Sequence, residues 1–248
     1  MKIIKKFKEK NKIFFFNYSK NSFFEGLYRF CAASISPLFL KFNPNFISSL
    51  SLLSGLFGLI LFIFFSVKLK VTLIFFLLSF VLDFTDGLVA RILNKTSFFG
   101  RFIDGLFDIF VSGFLHLVLL FYLLENSNLE INNLIYFFYL LIIFLLPIQH
   151  LILDRFSSLA RWCNEINKDN KIKPYYRNEY FNKLMMLFVD LQHLSIFLIL
   201  FITEIYISYV INFFFLISSL ASIFSVSLYL RLSKEKFIFT TNQKDNDE

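Results

Sequence analysis

Long apolar segments constrain the fold of this chain more than any other feature of its sequence. A helix that crosses the hydrocarbon core of a bilayer needs about 20 predominantly apolar residues. Six segments meet that requirement, at residues 45–67, 71–93, 99–124, 131–153, 184–207 and 209–231. Of the 248 residues, 57% are hydrophobic, which favours an integral membrane protein over a soluble one. The sequence therefore predicts an all-α, polytopic membrane protein with six transmembrane helices.

The basic residues are distributed asymmetrically around these segments. If the chain crosses the membrane six times, 23 of its 25 Lys and Arg residues fall on one side, and only Lys68 and Lys70 fall on the other. The positive-inside rule places the richer side, which includes both termini, in the cytoplasm. We therefore predict a multi-pass protein of the cell (inner) membrane. The net charge of +7 follows from this topology, so it does not indicate binding to nucleic acid.

Composition divides the chain into three regions. Residues 1–41 form a basic segment, and residues 20–41 within it are expected to include an interfacial amphipathic helix, with Lys and Arg at the headgroups and Phe and Leu in the acyl boundary. Residues 42–233 form the six-helix membrane domain, in which residues 154–183 are predicted as a long cytoplasmic loop. Residues 234–248 are predicted as a polar, disordered tail.

Four aspartates interrupt the second and third apolar segments. Asp83 and Asp86 precede the turn between these segments, and Asp104 and Asp108 follow it. Helix periodicity puts each pair on one helix face, and an antiparallel helix pair would bring all four carboxylates together near the cytoplasmic face. Ionisable residues within spans are costly, so they indicate function. The alternative is that they are turn or helix-interface residues.

A cluster of four carboxylates requires cations, and hard oxygen ligands favour Mg²⁺, Mn²⁺ or Ca²⁺. Two such ions held close together suit phosphoryl transfer. The small residues Gly87, Ala90 and Gly100 share the same helix faces, where they leave room for a phosphate or nucleotide. Arg91 adds a positive charge for phosphate oxygens.

The spacing D-x2-D-G-x2-A-R-x8-G-x3-D-x3-D resembles the signature of the CDP-alcohol phosphatidyltransferases, also called CDP-alcohol phosphotransferases. All eight specified positions are present, namely Asp83, Asp86, Gly87, Ala90, Arg91, Gly100, Asp104 and Asp108. The stretch NPNFISS at residues 43–49 resembles a family element through Pro44, Asn45 and Ser48, and Ser97 fits a family Ser/Thr position. The resemblance covers residues 43–108, and beyond them it rests on the number of spans.

The resemblance implies transfer of a phosphoalcohol group, most often phosphatidyl, from a CDP-alcohol such as CDP-diacylglycerol to the hydroxyl of a second alcohol. CMP is released, and the reaction belongs to phospholipid biosynthesis. It implies two divalent ions, Mg²⁺ or Mn²⁺, held by Asp83, Asp86, Asp104 and Asp108, with Asp108 also the catalytic base. The implied nucleotide contacts are Asn45, Ser48, Gly87, Ala90, Arg91, Ser97 and Gly100. A homodimer in membrane lipid is also implied.

The acceptor pocket is less defined by sequence. Arg155 and Arg161 are candidates for binding a phosphorylated acceptor, although basic residues there also follow from the positive-inside rule. Asp190 and Glu204 are candidates for lining the acceptor cavity, with helix-end or packing roles as the alternative.

Three other functions are alternatives for a membrane protein with these aspartates. An aspartate-rich membrane prenyltransferase also uses Mg²⁺ and a diphosphate, but its acidic motifs lie on spans far apart in sequence. A divalent-cation transporter would explain the aspartates as an ion path, although it would not explain the small residues and Arg91. A non-catalytic relative usually lacks an aspartate of the signature, and none is missing here.

Overall fold

A computed structural model describes residues 22–126, 133–166 and 179–242, and in these ranges it contains α-helices and no strand. The helices are α1 (Phe23–Phe39), α2 (Pro44–Phe65), α3 (Leu69–Leu93), α4 (Phe98–Asn126), α5 (Asn133–Ile166), α6 (Glu179–Phe201) and α7 (Glu204–Asn242). Each helix from α2 to α7 contains a segment long and apolar enough to cross a membrane. The all-α prediction with six spans is therefore confirmed.

Three predicted boundaries differ from the observed ones. Helix α5 continues to Ile166, so residues 154–166 of the predicted loop are helical. The break between the last two spans falls at residues 202–203, which places Glu204 in the first turn of α7 and not in the fifth span. Helix α7 continues to Asn242, so the predicted disordered tail is helical up to that residue. Charged residues end an apolar pattern without ending a helix, because Lys, Glu and Arg are good helix formers.

The described chain separates into two compact units. The first takes its residues from 1–131 and 189–214, and the second from 132–188 and 215–248. All four aspartates of the sequence motif belong to the first unit. Within the second unit, Phe156, Tyr229 and Leu232 form a buried cluster, and Ser222 donates a hydrogen bond of 2.7 Å to Gln149.

Helix α3 lies at the centre of the first unit, where it contacts α1, α2 and α4. Small and hydroxyl residues allow α2 and α3 to approach closely. Ser51 and Ser79 each donate to the backbone carbonyl oxygen of the other, at 2.9 and 2.8 Å. A methyl group added at Gly58 would lie 3.2 Å from Phe75 Cβ and 3.2 Å from Phe76 Cε2. Small residues and interhelical hydrogen bonds are typical of helix contacts in membranes.

Helix α1 agrees with the helix expected within residues 20–41. It buries Phe24, Tyr28, Ala32 and Ser36, which follow one another at four-residue intervals, and it exposes Phe23, Phe30 and Leu38. Its placement at the membrane interface remains a prediction. The basic segment up to residue 21 and the tail beyond Asn242 lie outside the described residues.

Candidate active site

A short turn joins the two helices that contain the aspartates. Helix α3 ends at Leu93 and is capped by Asn94, whose φ of 55° is left-handed, a conformation that asparagine tolerates. Helix α4 begins at Phe98 after Ser97, and the Ser97 Oγ accepts a hydrogen bond of 2.9 Å from the Gly100 N–H. A serine in this position satisfies an N–H group at the start of the helix. The turn therefore returns the chain so that the polar faces of α3 and α4 meet.

Three of the four aspartates meet at one point. Oxygen atoms from Asp83, Asp86 and Asp104 all lie within 4.8 Å of one another, and we refer to these residues as the aspartate cluster. The Oδ1 atom of Asp104 is buried and has no hydrogen-bond partner among the described residues. Carboxylate oxygens at this spacing, one of them buried without a partner, are the donor set that Mg²⁺ and Mn²⁺ prefer, so the cluster fits a divalent ion.

Asp108 lies next to Asp83 but differs from the cluster in its surroundings. It is exposed, whereas Asp86 is buried with 4% of its surface accessible. The α-helical rise places Asp108 one turn beyond Asp104 along α4. Asp108 therefore has a face that a substrate can reach.

A hydrogen bond from helix α2 holds Asp86 in place. Ser48, which is itself buried, donates a hydrogen bond to the Oδ2 atom of Asp86, and its Oγ also lies 3.3 Å from the carbonyl oxygen of Pro44. The sequence placed Ser48 among the nucleotide contacts. In the structure its hydroxyl orients a carboxylate of the aspartate cluster, and this contact joins helices whose residues are 38 positions apart.

Asn45, Ser97 and Gly100 lie together. Because the resemblance predicts all three as nucleotide contacts, we refer to them as the nucleotide cradle. A methyl group on Gly100 would lie 3.0 Å from Ser97 Oγ and 3.3 Å from Asn45 Oδ1. The cradle lies at the first turns of both α2 and α4. Asn43 caps α2, which begins at Pro44, and α4 begins at Phe98. The N-terminal ends of helices favour anions because their N–H groups and dipoles point outward.

Arg91 lies over Gly87 on the surface of α3. A methyl group on Gly87 would lie 3.3 Å from the Nη2 atom of Arg91, so the missing side chain leaves room for the guanidinium group. Arg91 lies in the last turn of α3, is exposed, and interacts electrostatically with Asp104. Ala90 is half-buried on the same helix. A positive charge and an open surface thus border the aspartate cluster.

Of the residues predicted for the acceptor site, Arg155 and Arg161 belong to the second unit, whereas Asp190 and Glu204 belong to the first. Arg155 is exposed on α5, and Arg161 lies on the same helix, where its side chain is outside the described ones. Glu204 is exposed at the start of α7. Asp190, on α6, bonds to the N-terminus of α1, which is a helix-end role and not a cavity lining. No sequence pattern predicts that contact, because Ser22 and Asp190 are 168 residues apart.

The six apolar helices, the aspartate cluster and the nucleotide cradle define a membrane protein with a site suited to metal-dependent phosphoryl transfer. The family model for CDP-alcohol phosphatidyltransferase matches residues 41–230, and the chain belongs to that family. The match extends well beyond the motif at residues 43–108. A search of curated proteins found no significant match. Family membership makes the chain a phosphotransferase that acts on a CDP-alcohol, and it argues against the transporter and prenyltransferase alternatives.

Proposed function

We propose that the protein transfers a phosphatidyl group from CDP-diacylglycerol to the hydroxyl of a second alcohol, with release of CMP, in phospholipid biosynthesis. One observation supports this most directly: the aspartate cluster and the nucleotide cradle occupy the same end of the α2, α3 and α4 helices. An anion-binding cradle next to hard oxygen ligands suits a nucleotide diphosphate.

The donor is held by residues on both sides of the α3–α4 turn. Asn45, Ser97 and Gly100 would contact the nucleotide, with Gly87 and Ala90 leaving room for it, and Arg91 would pair with a diphosphate oxygen. Two divalent ions, Mg²⁺ or Mn²⁺, would be held by Asp83, Asp86 and Asp104. Asp108 would help to bind the second of these ions. When bound, these ions neutralise negative charge on the diphosphate and on the departing CMP.

Asp108 would act on the acceptor. Its exposed carboxylate would accept the proton of the acceptor hydroxyl, whose oxygen then forms a bond to the phosphorus that bears the lipid. The bond from that phosphorus to the oxygen of CMP breaks, and CMP leaves with the electron pair. A carboxylate whose two oxygens both bind metal ions is a weak base. Because Asp108 is exposed, one of its oxygens can face the acceptor instead.

The distribution of charge indicates which side of the membrane the site is on. We propose that the site lies on the cytoplasmic side of the inner membrane, because most Lys and Arg flank that side. Acyl chains can then remain in lipid while the nucleotide and a polar acceptor arrive from water. Arg155 and Arg161 are proposed to bind a phosphorylated acceptor, and the protein is proposed to form a homodimer.

The test is release of CMP by purified protein in detergent with CDP-diacylglycerol and Mn²⁺ or Mg²⁺. Parallel reactions contain glycerol 3-phosphate, inositol, inositol phosphate, serine or choline. Release that requires the metal and one acceptor, and that Asp108→Asn abolishes, is the expected result. Glu125→Gln is the matched control, because Glu125 is an exposed acid at the other end of the same helix. Failure of every acceptor would contradict CDP-diacylglycerol as donor.

A further inference from the structure

The N-terminus of α1 is fixed by a carboxylate on another helix. The Oδ1 atom of Asp190 accepts hydrogen bonds from Ser22 Oγ at 2.7 Å and from the Phe24 N–H at 3.1 Å. Its Oδ2 atom accepts from the Phe23 N–H at 3.1 Å. A carboxylate at this end of a helix satisfies N–H groups that lack partners within the helix and opposes the positive end of its dipole.

A second contact fixes α1 one turn further along. The Tyr28 hydroxyl and His193 Nδ1 form a hydrogen bond of 3.0 Å, and the two rings meet edge-on with centroids 5.0 Å apart. Phe24 stacks on Phe197 with centroids 5.1 Å apart. Tyr28 is almost completely buried, with 3% of its surface accessible. We refer to Asp190 and His193, with the α1 groups that they bind, as the α1 anchor.

Helix α1 also covers the part of α3 that contains Asp83. The Tyr28 ring stacks on Phe84 with centroids 6.1 Å apart, and the Arg29 guanidinium lies 5.1 Å from the centroid of the same ring. Phe84 directly follows Asp83 in the chain. One and two turns further along α3, Leu88 and Ile92 pack against Ala33 of α1 and against Leu40, the residue that caps α1.

We propose that Asp190 and His193 are positioning residues for phosphatidyl transfer, because they hold α1 across the segment of α3 that contains Asp83. This role rests on the proposed function. Helix α3 is fixed on one side by its hydrogen bonds to α2, and α1 fixes it on the side of Phe84. Displacing a site residue by about 1 Å can lower a rate by about 100-fold. Loss of the α1 anchor should therefore lower the rate of transfer by displacing Phe84 and the adjacent Asp83, although Asp190 and His193 do not contact the substrate.

The test uses the full-length protein with Cys163→Ser, which leaves Cys31, a half-buried residue of α1, as the remaining thiol. The variants are Asp190→Ala and Asp190→Asn, and the control is Glu125→Gln, which removes an exposed acid from the last turn of α4. Two quantities are measured on protein that elutes as folded: the rate of maleimide reaction at Cys31, and kcat with KM for CDP-diacylglycerol.

Asp190→Ala should raise the Cys31 reaction rate about tenfold and lower kcat about tenfold. Both changes are expected from loss of a charged helix cap. The KM for the donor should change less than about threefold, because the nucleotide cradle lies on α2 and α4. Asp190→Asn keeps the Oδ1 acceptor and should be intermediate, and it serves alone if Asp190→Ala does not fold. Glu125→Gln should match the parent protein.

Two results would overturn the positioning role, and a third concerns the reaction itself. An unchanged Cys31 rate in both variants would show that Asp190 does not hold α1. A raised Cys31 rate with an unchanged kcat would show that the α1 anchor is structural only. Absence of CMP release by the parent protein would instead refute the proposed function, and the positioning role with it, whatever the Cys31 rates show.

Discussion

At the scale of single residues, Gly100 shows how the absence of a side chain shapes a site. Its Cα lies where Asn45 and Ser97 converge, and a methyl group there would be in close contact with both side-chain oxygens. Gly105, one helical turn further along α4, has open space at the same position, since nothing lies within 4 Å of its added methyl group. The two glycines therefore differ in surroundings while sharing one helix.

We expect Gly100→Ala to weaken CMP binding roughly tenfold, equivalent to about 1.4 kcal/mol, because the new methyl group displaces Asn45 or Ser97. Gly105→Ala is the matched control and should leave CMP affinity unchanged. Calorimetric titration of CMP into each purified variant measures the difference. Equal affinities for the two variants would show that the nucleotide does not contact the cradle.

Asp108 and Asp86 should fail in different ways when they lose their charge. Asp108→Asn should reduce CMP release by at least about 100-fold, the typical contribution of a general base, while Mn²⁺ binding largely persists. Asp86→Asn removes a buried member of the aspartate cluster and should weaken Mn²⁺ binding itself. Electron paramagnetic resonance of Mn²⁺, measured beside CMP release, separates the two. Equal loss of Mn²⁺ affinity in both variants would contradict the separate role of Asp108.

The sequence was sufficient to predict that aspartates of α3 and α4 come together, because they follow helix periodicity on either side of a short turn. It predicted all four together and did not separate Asp108 from the three that form the cluster. It was not sufficient for Ser48. Its hydroxyl contacts Asp86 on another helix, and that distance depends on how closely α2 approaches α3. The order of residues along one helix contains no information about such an approach.

At the scale of helices, the closest approach of α2 to α3 depends on glycine and serine. Gly58→Ala should lower stability by about 1–3 kcal/mol and reduce Tm by several degrees, because Phe75 and Phe76 leave no room for a methyl group. Gly113→Ala is the control, since nothing lies within 4 Å of its added methyl group. That change should be neutral or slightly stabilising, as alanine favours a helix. Thermal unfolding in one detergent measures both, and an equal Tm would contradict tight packing at Gly58.

Helix existence was easier to predict than helix ends or helix partners. Apolar segments of sufficient length gave all six spans, because lipid contact requires apolar side chains over most of each helix. Helices α5 and α7 continue past the apolar pattern, where the chain is charged and a helix is still favourable. The binding of Asp190 to α1 could not be predicted either, because it depends on which helices become neighbours.

At the scale of the whole molecule, helix order fixes which turns share a side of the membrane. A chain with six spans places the turn at residues 66–68 opposite the turn at 94–97, with the break at 202–203 on the side of the first. The first unit agrees with this arrangement, because Lys70 Nζ donates a hydrogen bond of 2.7 Å to the carbonyl oxygen of Ile202. The aspartate cluster lies towards the 94–97 turn, so the side of that turn is also the side of the site.

The cytoplasmic side can be tested with two matched lysine replacements in a chain with Cys31→Ser and Cys163→Ser. Lys68 and Lys95 are both exposed turn residues, one on each predicted side. We expect Lys68→Cys to react with a membrane-impermeant maleimide in intact cells, and Lys95→Cys to react only after the membrane is permeabilised. The reason is the excess of Lys and Arg beside the 94–97 turn, which favours retention of that side in the cytoplasm. The reverse labelling pattern would place the aspartate cluster outside, where a CDP-alcohol made in the cytoplasm would not reach it.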